Sequence, residues 1–276
     1  MKTRHLWLFA LIFFHLLSTQ AHALPFEQLT PGGVALVSLP SIGPAEPRVH
    51  YHQIPVTTIQ RDTHWVALIG IPLSAKPGPH EIVARWGENG PKSRHSFTVT
   101  AKAYPEQRLT IKNKRKVNPN PADMERIGKE QQRIRQARHS WRHTTPALTL
   151  QLPVVGRESS QFGLRRFFNN QARKPHGGLD IAAPTGTPVY APAAGQVVET
   201  GDYFFSGNCI FINHGQGLVT FYAHLHRIDV KPGQLIQAGD KIGEVGATGR
   251  VTGPHLHWSV GLNRTWVEPK LFLPTP

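Results

Sequence analysis

The chain is short of cysteine, of carboxylates and of long apolar runs, and each shortage removes a class of protein. One cysteine, Cys209, in 276 residues excludes an intrachain disulfide. It sits in the alternating apolar stretch "NCIFIN" and reads as a small buried strand residue. Beyond the first 23 residues no run approaches the roughly 20 apolar residues that span a bilayer, so no stable membrane span is expected. Asp and Glu number 17 against 31 Lys and Arg, a formal charge of +14. Such an excess suits an anionic partner. Nucleic acid is disfavoured, because the most basic stretch, "IKNKRKVNPNP", carries no aromatic residue on which a base could stack. The zinc-protease signature HExxH occurs nowhere.

What is present begins with an export signal. Lys2 and Arg4 precede the apolar run "LWLFALIFFHLL", and "AHA" at 21–23 offers a small-x-small cleavage site. Residues 1–23 are therefore read as a signal peptide, and the remaining chain as exported. Residues 24–103 hold short strand-like runs, "GGVALVSL", "RVHYHQI", "HWVALIGI", "HEIVARW" and "HSFTVTA", separated by turn signals such as "KPGP" and "GENGP". That pattern predicts a small β-sandwich. Its histidines, His50, His52, His64, His80 and His95, show no ligand spacing and are read as structural or surface residues.

Residues 104–145 carry 11 basic and 4 acidic residues, more than half of the charge excess of residues 24–276. "PNPADMERIGKEQQRIRQARHSW" predicts a helix capped by Asn120 ahead of Pro121. Met124, Ile127, Ile134 and Trp141 form a thin apolar stripe, which predicts a connector docked lightly on its neighbours. Arg126, Lys129, Arg133, Arg135, Arg138 and Arg142 would give it salt-sensitive affinity for an anionic wall. Residues 146–276 return to short strands between Gly- and Pro-rich turns, which predicts a compact antiparallel β domain without a substantial helix. The fold class expected is thus mainly β, with one helical basic connector.

Two motifs in the last domain carry chemistry. In "HGGLD" the two glycines argue against a helix, so His176 is placed on a loop and Asp180 at the start of a strand. In "HLHWSV" strand alternation turns His255 and His257 to one face and Leu256 and Trp258 to the other. Two imidazoles on one face of a buried strand are costly without partners, and a metal is such a partner. Two imidazoles and one carboxylate suit zinc better than calcium or magnesium, and leave a fourth position open.

The segments "QFGLRRFFNNQARKPHGGLDIAAPTGTPVYAPAAGQV", "GNCIFINHGQGLVTFYAHL" and "GATGRVTGPHLHW" closely resemble the M23 family of zinc metallopeptidases, the lysostaphin or LytM-type endopeptidases. The resemblance covers about 150–272. Residues 24–145, with "YPEQRLTIKNKRKVNP", resemble the N-terminal domain and connector of Gram-negative members. It implies one zinc ion per chain, held by His176, Asp180 and His257. It implies that His224 and His255 are catalytic without binding the metal, one as general base and one as oxyanion stabiliser, in an order left open. His226 matches no functional position and is read as exposed loop, and His214 is read as a turn or strand-end residue. The implied reaction is hydrolysis of the peptide cross-links of peptidoglycan, at D-Ala to diaminopimelate bridges. The rival expectation is a non-catalytic relative that activates cell-wall amidases; such relatives have lost ligands, whereas the set here is complete. A last expectation is that the N-terminal domain limits access to the zinc, by delivering a donor atom or by covering the cleft, with Glu81 and Glu88 as candidate donors.

Overall fold

The run "HWVALIGI" is apolar at successive rather than alternate positions, and such a strand needs burial on both faces. In the structure it does bridge two cores. The computed structural model describes residues 23–42 and 45–274. The export signal read at 1–23 lies outside these residues except for Ala23. Seven strands, β1 (Val34–Pro40), β2 (Pro47–Tyr51), β3 (Ile54–Pro55), β4 (Thr57–Arg61), β5 (His64–Gly70), β6 (Gly78–Trp86) and β7 (Lys92–Val99), form two facing sheets. Their orders are β1-β5-β4 and β3-β2-β6-β7. Ala67 and Ile69 of β5 point into the sandwich with Val49, Tyr51, Ile82 and Trp86. Val66 and Leu68, on the other face, join the core of the C-terminal half beside Leu218, Leu262 and Val267. Polar contacts lock the same junction: Thr57 Oγ1 donates to the Gln216 carbonyl at 2.7 Å and Gly70 N to Asn263 Oδ1 at 3.1 Å.

The connector is more than a helix. Strand β8 (Glu106–Leu109) comes first, then a short 3-10 turn (Lys114–Lys116), then helix α1 (Pro121–His139). The Asn120 side chain accepts from Asp123 N, and the Asp123 carboxylate accepts from Asn120 N, a reciprocal cap. The predicted stripe is only partly used. Ile127 is buried, but Met124 is 54% exposed. Ile134 packs against a buried cluster that includes Ala137, Phe211 and Phe221, and polar contacts complete the docking. Buried Glu130 accepts from Phe204 N at 2.9 Å, and Arg133 donates to Glu199 at 2.6 Å. The helix is therefore seated firmly, with the help of carboxylates that an apolar count overlooks. Arg126, Lys129 and Arg133 each meet a carboxylate, so half of the charges assigned to wall binding are answered within the chain.

In the C-terminal half the strands are β9 (Arg157–Ser160), β10 (Arg165–Phe168), β11 (Gln171–Ala172), β12 (Leu179–Ala182), β13 (Pro188–Tyr190), β14 (Gly195–Tyr203), β15 (Gly207–Gly215), β16 (Leu218–Ile228), β17 (Leu235–Ile236), β18 (Lys241–Val245), β19 (Leu256–Leu262) and β20 (Thr265–Val267). Most join one antiparallel sheet with the path β17-β14-β15-β16-β19-β12-β9. Strand β8 adds to β10 in parallel, so the connector is stitched onto this half. Two registers bring chemistry-bearing side chains together: Asp180 of β12 faces His257 of β19, and Ala223 of β16 faces His257 from the other side. The N-terminal sandwich docks at the Leu218–Leu262 end of β16 and β19, five residues along β19 from His257. Among the described residues no helix is long and apolar enough to cross a membrane.

Candidate metal centre and active-site cleft

Directly opposed residues on neighbouring strands point to the same face, so the β12–β19 register brings Asp180 and His257 together. His176 arrives from the loop before β12, and that loop fits only with glycine at 178. A Cβ there would stand 2.5 Å from the Trp258 carbonyl oxygen and 2.8 Å from His257 Cε1. The three side chains converge: His176 Nε2 lies 3.0 Å from Asp180 Oδ1 and 3.0 Å from His257 Nδ1, and His257 Nδ1 lies 2.7 Å from Asp180 Oδ1. His176 and Asp180 are buried and His257 is half-buried. Leu256 and Trp258 are fully buried on the opposite face, in the core.

Hydrogen-bond partners fix which nitrogen faces the centre. The Gln161 carbonyl can only accept, so His176 Nδ1–H donates to it at 2.7 Å and Nε2 keeps its lone pair. His257 uses Nε2 toward Ser259 Oγ at 2.8 Å, which leaves Nδ1 inward. Lone-pair atoms this close repel unless a cation sits among them. A tetrahedral zinc with bonds of 2.0–2.2 Å would hold its donors about 3.3–3.5 Å apart, a few tenths of an ångström wider than the spacing here. The donor set therefore fits a divalent metal of this kind. Burial opposes the charge on Asp180, but the neighbouring His176 and His257 imidazoles outweigh it and hold the carboxyl well below its usual range. Burial lowers His176 to about 4, against the raising influence of Asp180, so this imidazole is neutral, as ligation requires.

His224 and His255 stand beside this cluster without joining it. Their ring centroids are 4.8 Å apart, and His224 lies 6.1 Å from His257. His255 Nε2 approaches Asp180 Oδ1 only to 3.9 Å. Each donates Nδ1–H to a backbone carbonyl at 2.8 Å, His224 to Thr248 and His255 to Gly253, so each keeps an unprotonated Nε2. Burial pushes both below the ordinary histidine value, and for His224 the neighbouring His255 and His257 add to it. His224 has φ 66, a left-handed conformation rare for a residue inside a strand. It falls where β16 leaves β19 and begins to pair with β18, and this kink turns the ring toward the centre.

Three residues that carry the site were not singled out in the sequence. Arg166 Nη2 donates to Asp180 Oδ2 at 2.6 Å and to Ser160 Oγ at 3.1 Å. Gln107, on the connector strand β8, accepts from Arg166 Nε at 3.0 Å and donates to Ser160 Oγ at 3.0 Å. The acidic ligand is thus steadied from outside by a β10 arginine and a connector glutamine. Among the described residues the remaining histidines stay apart from the centre. His214 is buried in a structural chain, His226 is exposed, and His80 accepts or donates to the Tyr51 hydroxyl at 2.7 Å. Glu81 pairs with Arg94 and Glu88 with Arg48 on the outer sheet of the sandwich, so neither blocks the cleft. Its walls come from elsewhere: Val117, Ile127 and Gln131 of the connector face His176 and His257 across a space of about 600 Å³. Cys209 is buried as expected, and burial raises its pKa.

Comparison with known proteins agrees with this geometry. Residues 174–269 match peptidase family M23 and residues 27–102 match the peptidase family M23 N-terminal domain. The crystal structure of a candidate M23 peptidase from Pseudomonas aeruginosa is 40% identical, with a TM-score of 0.76, over 90% of this chain and 96% of that one. The peptidoglycan DD-endopeptidase ShyA of Vibrio cholerae is 48% identical over 105 residues, 38% of this chain and 24% of that protein. The DD-carboxypeptidase/endopeptidase Mpg of Neisseria meningitidis serogroup B is 43% identical over 124 residues, 45% of this chain and 29% of that protein. The chain thus spans about a quarter of the length of these curated relatives.

Proposed function

The chain belongs to peptidase family M23, and from that premise we propose that it is an exported, zinc-dependent endopeptidase acting on the peptide cross-links of peptidoglycan in the periplasm. The observation that carries this reading is the convergence of His176 Nε2, Asp180 Oδ1 and His257 Nδ1 beside two further imidazoles whose hydrogen bonds, among the described residues, go to backbone carbonyls. Those three atoms would hold one zinc ion. When bound, zinc supplies Lewis acidity, polarising a carbonyl and lowering the pKa of water toward about 7. Ser259, Gln161 and Arg166 hold the three ligands in their orientations.

His224 and His255 do the proton and charge work. Each offers an unprotonated Nε2, able to take a proton from attacking water and, once protonated, to donate to the oxyanion or the leaving amine. Their Nδ1 bonds to Thr248 and Gly253 keep them in that tautomer. The substrate bond we assign is D-Ala to diaminopimelate, supported by the relatives that are named DD-endopeptidases. The complete donor set speaks against the amidase-activating alternative. The test separates metal from turnover. His176→Ala, Asp180→Ala and His257→Ala should lose most of the zinc measured by mass spectrometry. His224→Ala and His255→Ala should keep one zinc per chain and lose cleavage of a cross-linked muropeptide. Full turnover in both of the latter variants would refute the assignment.

A further inference from the structure

The cleft beside the metal cluster has charge of one sign. Arg135, Arg166, Arg173, Lys174 and Arg250 line it, with no carboxylate among the described lining residues. Arg166 is answered by Asp180. Arg250 is different: among the described residues it makes no ion pair. Its guanidinium lies 4.5 Å from the ring centroid of Phe168 and 4.3 Å from that of Phe205, and Nη1 reaches the Lys116 carbonyl only at 3.4 Å. The backbone beneath it is fixed, since Arg250 N donates to the Phe205 carbonyl at 2.9 Å. Gly249 holds φ 78, and a Cβ there would stand 2.4 Å from Gly207 N. Arg173 is anchored nearby, donating from Nη2 to the Val117 carbonyl at 2.9 Å and to Gln171 Oε1 at 2.7 Å, again with no carboxylate partner among the described residues. Burial lowers the Arg250 pKa to about 10, and repulsion from Arg166 and Arg173 adds to it, so the group is still cationic at neutral pH.

A half-buried cation that lacks a counter-ion is costly unless a ligand supplies the anion. Ring contacts occupy the faces of a guanidinium and leave its in-plane N–H donors, the edge that matches a carboxylate. We propose that Arg250, with Arg173 adding positive field, is a carboxylate subsite that recognises a free carboxylate of the substrate next to the scissile bond. The proposal rests on the assignment of peptidoglycan as substrate. In a D-Ala to diaminopimelate bridge the acylated nitrogen sits on a carbon that also bears a carboxylate, so the leaving half presents an anion one atom from the bond. A glycyl-glycine bridge has no group in that place. The subsite therefore selects the first kind of cross-link over the second. The flanking cations Arg135 and Lys174 raise the local concentration of such anionic strands.

The test uses the zinc-loaded chain 24–276 and a non-hydrolysable ketomethylene analogue of the D-Ala to diaminopimelate bridge. One form carries that carboxylate free and the other carries it as a carboxamide. By calorimetry the free acid should bind at least about tenfold more tightly, the value of a charge-assisted contact. Arg250→Met should abolish the preference with zinc content unchanged, and Arg250→Lys should restore part of it. Equal affinity of the unaltered protein for both forms, no binding of either, or a preference that survives Arg250→Met overturns the subsite. Cleavage of the parent amide is scored separately: tight binding of the free acid with an uncut parent would sink the endopeptidase reading and leave the subsite standing.

Discussion

Replacing Arg166 by methionine should loosen the metal without unfolding the chain. The guanidinium is the donor that satisfies the Asp180 oxygen turned away from the cluster, at 2.6 Å, and only 17% of the Arg166 side chain and 8% of the Asp180 side chain are exposed. Methionine keeps most of the volume and removes both the charge and the bond. A buried carboxylate oxygen left without its donor costs about 1–3 kcal/mol. Loss of a partner that orients a metal ligand typically lowers affinity about 10–100-fold, and a factor of ten is about 1.4 kcal/mol, so the two routes agree. Gln107→Ala acts one hydrogen bond further out and should weaken binding less. Because Gln107 lies on β8, a fragment of residues 146–276 should also bind zinc more weakly than 24–276. Competition with a chromophoric chelator at neutral pH measures each constant. An Arg166→Met dissociation constant equal to that of the unaltered chain would refute the view that this arginine holds the ligand in place.

Buried residues away from the centre give two more outcomes. Leu68→Ala should cost about 2–5 kcal/mol in denaturant titration, the usual cost of such a cavity, because this fully buried side chain belongs to the core shared by the sandwich and the C-terminal half; a loss below about 1 kcal/mol would show that the two halves do not depend on their junction. His214 should give the chain an acid-sensitive component. Burial lowers it to about 4, with Arg142 adding to the shift, while the unfolded residue titrates at 6.5. Between those values the unfolded state binds more protons, so stability falls as pH drops from 6.5 toward 4 and is fully present above 6.5. The contacts explain the preference for the neutral ring: Tyr222 donates to Thr220 Oγ1, whose hydroxyl donates to His214 Nε2, and Nδ1–H donates to the Ala194 carbonyl. His214→Gln should flatten the stability profile in that window, and an unchanged slope by thermal denaturation would contradict it.

Local patterns made part of this legible in advance. Alternation in "HLHWSV" placed His255 and His257 on one face because a strand repeats every two residues, and Gly177 and Gly178 argued correctly against a helix at His176. The kink at His224 and the opposition of Asp180 to His257 were not readable, since both depend on strand register set by distant partners. The Arg166 network is invisible for the same reason: Gln107 and Ser160 are 53 residues apart. Helix α1 shows where apolar counting misleads. Its stripe suggested light docking, yet the buried Glu130 adds to the packing of Ile127 and Ile134, because a carboxylate that accepts from a backbone N–H and pairs with Arg126 can be buried. The run in β5 reads in sequence only as one strand of a sandwich, and the core that covers its second face is set by the distant strands β16, β19 and β20.

The central claim, that this metal centre cuts peptide cross-links in the wall, is tested most directly by mass spectrometry of the material released from purified murein sacculi by the zinc-loaded chain. The account predicts that cross-linked muropeptide dimers fall and that monomers bearing a new free amine on diaminopimelate rise, with no change in glycan chain ends and no release of intact stem peptides, and that Asp180→Ala abolishes the effect. Dimers left intact by a fully zinc-loaded chain, or stem peptides released from the glycan in their place, would contradict it.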